Sequence, residues 1–495
     1  MLLAELAKAV GGAELAGRGN PEIRAIVQDS REALPGCLFA ALPGAAADGL
    51  DFVDDALRRG AAALLLPRFP ESDPGVPVLA AADVRKALGE AADAFYQYPS
   101  RNLELIGVTG TNGKTTSAYL IRHILNSAGR RAGMIGTVEY DLGGKLEPAP
   151  LTTPGTVRFT RSLAEMRRAG CRAAVAEVSS HALSQDRVWP HRFAAAVFTN
   201  LTRDHLDYHG GMDSYRESKR LLFSRLDPGA MAVFNLGDSA SPRLAEGCRA
   251  RLAGYSRAGG KPAAGGGDGR FPGEVFLAET VASGLEGQSF DLSGPGLNRR
   301  FHIPLVGRHN LENSLGAILA ARGLGVSANL IREALADFPG VPGRLERIQS
   351  PSGVTAFVDY AHTDDALRSV LSVLRPLTPG RLITVFGCGG NRDRGKRPLM
   401  ARAAEDFSDR VVVTSDNPRL EDPGAIIKDI MGGFARPDGV AVEPDRERAV
   451  FRAAGMAEPG DAILVAGKGH ENYQILGTEK RRLDDRELVR NAFLA

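Results

Sequence analysis

Residues 103–116 read Leu-Glu-Leu-Ile-Gly-Val-Thr-Gly-Thr-Asn-Gly-Lys-Thr-Thr, and they constrain the fold more than any other stretch. The mostly apolar run Leu103 to Val108 predicts a short buried strand. It breaks into a glycine-rich turn, and the apolar spacing from Ser117 onward predicts a helix. Strand, glycine turn, Lys-Thr, helix is the geometry of a phosphate cradle. Turn N–H groups and the helix N-terminus offer partial positive charge to phosphate oxygens. Lys114 reaches the terminal phosphates in such a cradle, and Thr115 serves Mg²⁺. The strict P-loop spacing is not met, because Val108 stands where its first glycine belongs.

The chain of 495 residues is too long for one core, so several domains are expected. Its 61 Lys+Arg and 59 Asp+Glu nearly balance, which argues against a generic nucleic-acid or membrane-surface protein. Cys37, Cys171, Cys248 and Cys388 have neither metal-type spacing nor disulfide density. A reducing, cytoplasmic setting is therefore expected. No basic leader followed by an apolar run opens the sequence, and no run reaches the ~18 residues of a membrane span. Neither a signal peptide nor membrane insertion is expected.

Residues 1–98 read as a small α/β domain. Strands are expected at Ile26–Gln28, Cys37–Leu42 and Ala61–Leu66, and helices at Val53–Arg59 and Val84–Tyr96. Asp29-Ser30-Arg31 is its one polar cluster with the look of a binding site, although a capped turn reads the same way. Tyr98 to Arg101 is the expected linker into a second domain, 99–341. There Ala173–Val178 predicts an apolar strand with Glu177 near its carboxyl end. That is where a nucleotide's Mg²⁺ needs a carboxylate. A second strand, Ala194–Thr199, delivers Asp204, His205, Asp207 and His209, and the helix Tyr215–Leu226 carries Lys219. Ser256 to Glu274 reads as a glycine-rich loop. Antiparallel strands follow over Val275–Phe290 and Phe301–Pro304. A helix then opens at Gly307 with Asn310 and Asn313 one turn apart.

Pro342-Gly343-Arg344 marks the start of a third domain, 342–495. Strands at Arg381–Phe386, Arg410–Thr414 and Ala462–Ala466 end in three loops. These are Gly387 to Pro398, Ser415-Asp416-Asn417-Pro418-Arg419 and Gly467-Lys468-Gly469-His470-Glu471. Three charged or glycine-rich loops at one sheet edge are the ligand side of a doubly wound sheet.

Taken together these residues resemble the Mur ligase family, the ATP-dependent amide-forming ligases of peptidoglycan precursor synthesis. The resemblance runs in order through Gly110–Thr115, Glu177–Ala182, Asn200–Asp207, Gly307–Asn313, Pro342–Arg344 and Asp359-Tyr360-Ala361-His362. It implies three α/β domains: a small UDP-binding domain, a central P-loop-type ATPase domain with a mostly parallel sheet, and a C-terminal Rossmann-like domain. It also implies that Gly110, Thr111, Asn112, Gly113, Lys114, Thr115 and Thr116 hold ATP phosphates. Asn310, Arg344 and Asp359 would contact adenine and ribose. Thr115, Glu177 and His205 would serve Mg²⁺, with Lys219 as a CO₂-derived carbamate. Lys114, Glu177, His205 and Lys219 then form the catalytic set. Ser30, Thr152, Thr153, Ser179, Gln185 and Arg187 match positions that hold a UDP-muramoyl dipeptide. Asp416-Asn417-Pro418-Arg419, with Arg392, Gly467 and Glu471, matches the members that add meso-diaminopimelate. The implied reaction joins that amino acid to the D-glutamate γ-carboxylate of UDP-N-acetylmuramoyl-L-alanyl-D-glutamate through an acyl phosphate. The other readings are a Mur-type ligase for L-lysine or another acceptor, and a catalytically degenerate nucleotide-binding scaffold. A cytoplasmic monomer acting on small molecules, without nucleic acid, is the remaining expectation.

Overall fold

The apolar run before the phosphate turn becomes a strand buried on both faces, as a run without polar alternation requires. The computed structural model describes residues 1–44, 47–258 and 271–495. The chain divides into two units. One is Met1–Leu277 with Gly294–Gly296 and Leu315–Ile331; the other is Ala278–Ser293, Leu297–Ser314 and Arg332–Ala495.

The first unit holds two sheets. The smaller one contains β1 (Glu14–Ala16), β2 (Ala25–Val27), β3 (Cys37–Ala40), β4 (Ala61–Leu66) and β5 (Val78–Ala80), in the order β1-β5-β4-β3-β2. β2 to β5 run parallel, and β1 lies antiparallel at the edge. Helix Val84–Phe95 turns Val84, Ala87, Leu88 and Ala91 onto Leu38, Ala40 and Leu65. Ser30 sits in a short 3₁₀ turn that Asp29 caps by accepting from the Arg31 amide.

The larger sheet is built from β6 (Glu104–Thr109), β7 (Ala132–Ile135), β8 (Glu139–Asp141), β9 (Leu146–Pro148), β10 (Ala173–Glu177), β11 (Ala195–Phe198), β12 (Met231–Asn235) and β13 (Arg251–Arg257). Within this unit the order is β13-β12-β11-β6-β10-β7-β8-β9. The strands from β13 to β7 are parallel, and β8 and β9 fold back antiparallel. β6 lies between β10 and β11, so three strand ends meet beside the phosphate turn. Such a crossover point is where open α/β sheets bind ligands.

The glycine-rich segment is shorter than the sequence reading made it. Ser256 and Arg257 still belong to β13, and Glu274 opens β14 (Glu274–Gly284); residues 259–270 between them lie outside the described residues. β15 (Gly287–Gly294) and β16 (Leu297–Ile303) follow β14 and pair in sequence order.

The second unit carries β17 (Glu346–Gln349), β18 (Thr355–Asp359), β19 (Leu382–Phe386), β20 (Arg410–Val413), β21 (Val440–Val442) and β22 (Ala462–Ala466). Their order is β17-β18-β22-β19-β20-β21, parallel except for β17. Phe357, Leu382, Phe386 and Leu464 face helices Asp364–Leu374 and Lys396–Phe407 on one side. Ile383, Val412, Ile463 and Val465 face helices Arg446–Met456 and Asp485–Ala492 on the other. A hairpin, β23 (Tyr473–Leu476) and β24 (Glu479–Arg482), stands apart from this sheet.

Candidate active site

β6 ends at Thr109, and helix Lys114–Ser127 begins after four intervening residues. The turn must pass very close to the next strand end. A Cβ on Gly110, whose φ is +153°, would lie 1.9 Å from Thr199 Oγ1. Only glycine fits there. Asn200 Oδ1 accepts from the Asn112 amide at 2.9 Å, and Thr199 Oγ1 donates to Asn112 O at 2.6 Å. Lys114 Nζ donates to Gly110 O and Thr111 O, each at 2.9 Å, and so closes over the turn. The neighbouring strand end supplies the carboxylate. Glu177 is fully buried, and its Oε2 accepts from Thr115 Oγ1 at 3.0 Å and Thr137 Oγ1 at 2.9 Å. Its Oε1 accepts from the Thr137 amide at 2.8 Å. Thr115 and Glu177 thus form a buried pair of hard oxygen ligands at the helix start, which suits a divalent ion such as Mg²⁺.

A second cluster surrounds Lys219 on helix Met212–Ser224. Lys219 is only 1% exposed, and its Nζ lies 4.5 Å from the centroid of the Tyr215 ring. Burial, and then the charge of Lys114, hold its ammonium well below the usual lysine range. Tyr215 in turn hydrogen-bonds Thr111 Oγ1 at 3.1 Å, which ties this helix to the phosphate turn. His209 bridges Ser180 Oγ at 3.0 Å and Ser218 Oγ at 3.3 Å. His205 is exposed; its ring contacts are with His181 and Tyr215, and its Nε2 is 3.5 Å from Asp204. The structure therefore brings Lys114, Thr115, Glu177 and Lys219 into one linked neighbourhood. His205 stands at its rim, on the His181 side.

Five of the six residues expected to bind the muramoyl peptide form one connected chain. Thr152 Oγ1 meets Thr137 Oγ1 at 3.1 Å. Thr153 Oγ1 donates to Glu177 O at 2.7 Å and accepts from the Ser179 amide at 3.0 Å. Arg187 Nη1 donates to Thr153 O at 2.9 Å, and Gln185 Oε1 holds Arg187 Nη2 at 2.7 Å. Gln185 and Arg187 line a cavity of about 150 Å³ with Gln28 and Leu42. Those two residues also line a cavity of about 520 Å³ that contains Ser30. The sixth residue thus lies next door.

The remaining candidates belong to the second unit. Asn310 Nδ2 donates to Val306 O at 2.9 Å, and Asn313 Nδ2 to Asn310 Oδ1 at 3.3 Å. Asp359, at the end of β18, accepts from the Leu345 and Ala361 amides at 2.7 and 2.8 Å. Burial raises its carboxyl against the pull of Arg344. The Arg344 guanidinium lies 5.0 Å from the Tyr360 ring centroid.

The three loops of the second unit do converge. Gly390, after β19, passes so close to the β20 loop that a Cβ there would lie 1.8 Å from Pro418 O. Arg419 has φ +55°, and its Nη1 donates to Gly390 O at 2.9 Å. Asn417 Nδ2 donates to Glu471 Oε2 at 3.0 Å, which joins the β20 and β22 loops. Gly467 packs against Asp416, whose Oδ2 would lie 2.7 Å from a Cβ there. Arg392 is exposed on the Gly387–Pro398 loop, its Cγ 3.9 Å from the Cβ that Gly389 lacks. The product is an arginine fork and a carboxylate at one edge, tethered through Asn417.

Sequence reasoning missed what holds these loops. Lys468 is fully buried and donates to Asn417 Oδ1 at 3.1 Å and Glu471 Oε2 at 3.4 Å. Arg446 pairs with Asp485 in full burial, at 2.8 and 2.7 Å, and also donates to Ser415 O and Ala466 O at two strand ends. Arg397 binds Glu421 and Asp429, each at 2.8 Å. The β23–β24 hairpin clasps Arg419 by backbone bonds from Arg419 N to Ile475 O at 3.1 Å and from Gly477 N to Arg419 O at 2.7 Å. A short Gly-Thr turn between Leu476 and Glu479 was the available signal for that hairpin.

Three family models match along the chain: "Mur ligase family, catalytic domain" over residues 22–96, "Mur ligase middle domain" over 108–321, and "Mur ligase, glutamate ligase domain" over 343–469. The phosphate turn falls in the second, and all three converging loops begin within the third. The chain belongs to the Mur ligase family. Its relatives narrow the class. A UDP-N-acetylmuramoyl-L-alanyl-D-glutamate--2,6-diaminopimelate ligase of Geobacter metallireducens is 43% identical, over 100% of this chain and 98% of its own length. The ligase of the same name from Gloeobacter violaceus is 45% identical, over 95% and 94%. A solved structure of a ligase so named superimposes with a TM-score of 0.71 at 32% identity, covering 95% of this chain and 94% of that one.

Proposed function

We propose that this chain is an ATP-dependent amide ligase of peptidoglycan precursor synthesis. It adds meso-diaminopimelate to the D-glutamate γ-carboxylate of UDP-N-acetylmuramoyl-L-alanyl-D-glutamate. The functional domains are 1–98 for the UDP-muramoyl substrate, 99–341 for ATP and 342–495 for the incoming amino acid. Family models placed at 22–96, 108–321 and 343–469 support that division.

Gly110 to Thr116 hold the ATP phosphates through turn amides and the helix start, with Lys114 on the terminal phosphates. Asn310, Arg344 and Asp359 contact the adenine and ribose. Thr115, Glu177 and His205 would hold Mg²⁺, which would supply charge neutralisation to the phosphates. Lys219 carries a CO₂-derived carbamate: burial disfavours its ammonium, the amine can add CO₂ and lose a proton, and the resulting anion is a hard oxygen ligand. Ser30, Thr152, Thr153, Ser179, Gln185 and Arg187 hold the UDP-muramoyl dipeptide. Its γ-carboxylate attacks the γ-phosphate of ATP and forms an acyl phosphate with loss of ADP. Positioning and charge do most of this work. The amine of diaminopimelate then attacks the acyl carbon, loses its proton, and phosphate departs.

One observation carries the choice of acceptor: Arg419 and Glu471 stand at one sheet edge, joined through Asn417. Diaminopimelate differs from lysine by a second carboxylate on its distal centre. A planar guanidinium matches that carboxylate, and Glu471 pairs with the distal ammonium. Arg392, Asp416, Pro418 and Gly467 shape the same pocket. The enzyme acts as a cytoplasmic monomer on small molecules; no helix among the described residues is long and apolar enough to cross a membrane.

The test is a reaction with ATP, Mg²⁺, the UDP-muramoyl dipeptide and meso-diaminopimelate, followed by mass spectrometry and phosphate release. The expected result is a product heavier by one diaminopimelate residue and one phosphate per product. Phosphate release that needs neither the dipeptide nor the amino acid would contradict the assignment.

A further inference from the structure

A cavity of about 310 Å³ lies in the first unit, and none of the residues that line it is assigned to the reaction. It opens between the segment Asp93–Arg101 and the loop Leu183–Phe193, with Leu222 and Arg225 behind. Its volume is at the small end of ligand sites. The apolar wall is Leu183, Val188, Phe193 and Leu222, all buried.

Its polar groups are unusual. Asp93 is 5% exposed, and its Oδ1 has no hydrogen-bond partner. His191 lies 3.6 Å away but does not neutralise it. Burial pushes that imidazole down to about 3, and its two nitrogens face Ser100 at 3.3 Å and Thr160 at 2.9 Å. Burial raises the Asp93 carboxyl to about 6 although Arg101 and Arg192 pull it down. A buried carboxylate without a donor costs stability unless something else supplies one. Arg192 stands on the same lining with its side chain 71% exposed, and it makes a long 3.9 Å ion pair with Asp227. Arg101 is exposed and stacks on Tyr98 at 3.9 Å.

We propose that this cavity binds a small zwitterion of the free amino-acid type. Its ammonium would meet Asp93, its carboxylate Arg192 and Arg101, and its apolar side chain the Leu183–Val188–Leu222 wall. The ammonium supplies the donor that Asp93 Oδ1 lacks. The arginines suit a carboxylate better than lysines would, because the guanidinium fork matches it.

The test is calorimetric titration of the full chain with L-phenylalanine at pH 7.5. Phenylalaninamide, without the carboxylate, and 3-phenylpropionate, without the ammonium, are the controls. One site per chain is expected, weakened about tenfold or more by Asp93→Asn and by Arg192→Ala, as for loss of one charged hydrogen bond. Both controls should be weakened comparably. Asp93→Asn removes an unpaired buried charge, and Arg192→Ala changes an exposed side chain, so both variants should fold. The proposal is overturned if L-phenylalanine shows no binding up to its solubility limit, if neither substitution weakens it, or if 3-phenylpropionate binds as tightly.

Discussion

Lys219 and Asp93 are charged residue types buried where charge is disfavoured, and each gives a prediction of its own. For Lys219 the proposed modification is a carbamate. Incubation with ¹³C-bicarbonate should give a carbamate signal that disappears in Lys219→Met together with ligase activity. An unchanged signal in that variant would remove the assignment. For Asp93 the consequence is one of stability. Its ordinary value is 3.8, and the folded value is raised to about 6. Between those limits the folded chain keeps a proton that the unfolded chain has lost. Its contribution is fully present below 3.8 and lost as pH rises through about 6. Asp93→Asn should therefore raise the thermal midpoint at pH 7.5 and raise it much less near pH 4.5. A stabilisation equal at both values would contradict the buried-carboxyl reading.

At the scale of elements, both functional regions are made by loops at the carboxyl ends of parallel strands. Close backbone approach fixes them. A Cβ at Gly390 would strike Pro418 O at 1.8 Å, so Gly390→Ala must displace the Asp416–Arg419 loop. We expect the KM for the acceptor to rise about tenfold or more while nucleotide affinity is retained, since a small misplacement of positioning groups is costly. Equal loss of nucleotide binding would point to unfolding instead, and a circular dichroism melt separates the two. The strands β3, β4, β6, β10, β19, β20 and β22 were legible because they are continuous apolar runs, the signature of strands covered on both faces. The two-stranded return β8–β9 and the β23–β24 hairpin were not. β8 and β9 have three residues each, β24 is wholly exposed, and all four take their form from pairing rather than from an apolar pattern. The residues given ligand roles under the proposed function, such as Lys114, Glu177 and Arg419, could be placed from the sequence at or just beyond strand ends. Their supports could not. Arg446 and Asp485 lie 39 residues apart, and nothing in the sequence says which arginine meets which aspartate.

Across the whole molecule, stability and specificity lean on such long-range pairs. Arg446 and Asp485 are both fully buried and join helix Arg446–Met456 to helix Asp485–Ala492. Arg446→Met leaves Asp485 buried and unpaired, which should cost about 3–5 kcal/mol. Arg446→Met with Asp485→Leu should recover most of that loss, because the uncompensated charge is gone. Urea denaturation of the two variants checks both statements, and a double variant no more stable than the single one would contradict them. The same network holds Ser415 and Ala466, and through them the loops that bear Arg419 and Glu471. Acceptor choice is thus the most direct readout of the account as a whole. Its measurement is kcat/KM for meso-diaminopimelate and for L-lysine, side by side with saturating ATP and UDP-muramoyl dipeptide. A preference for meso-diaminopimelate of about a hundredfold or more is predicted, as expected when a half-buried fork loses its carboxylate. Turnover of L-lysine at equal or higher kcat/KM would contradict it.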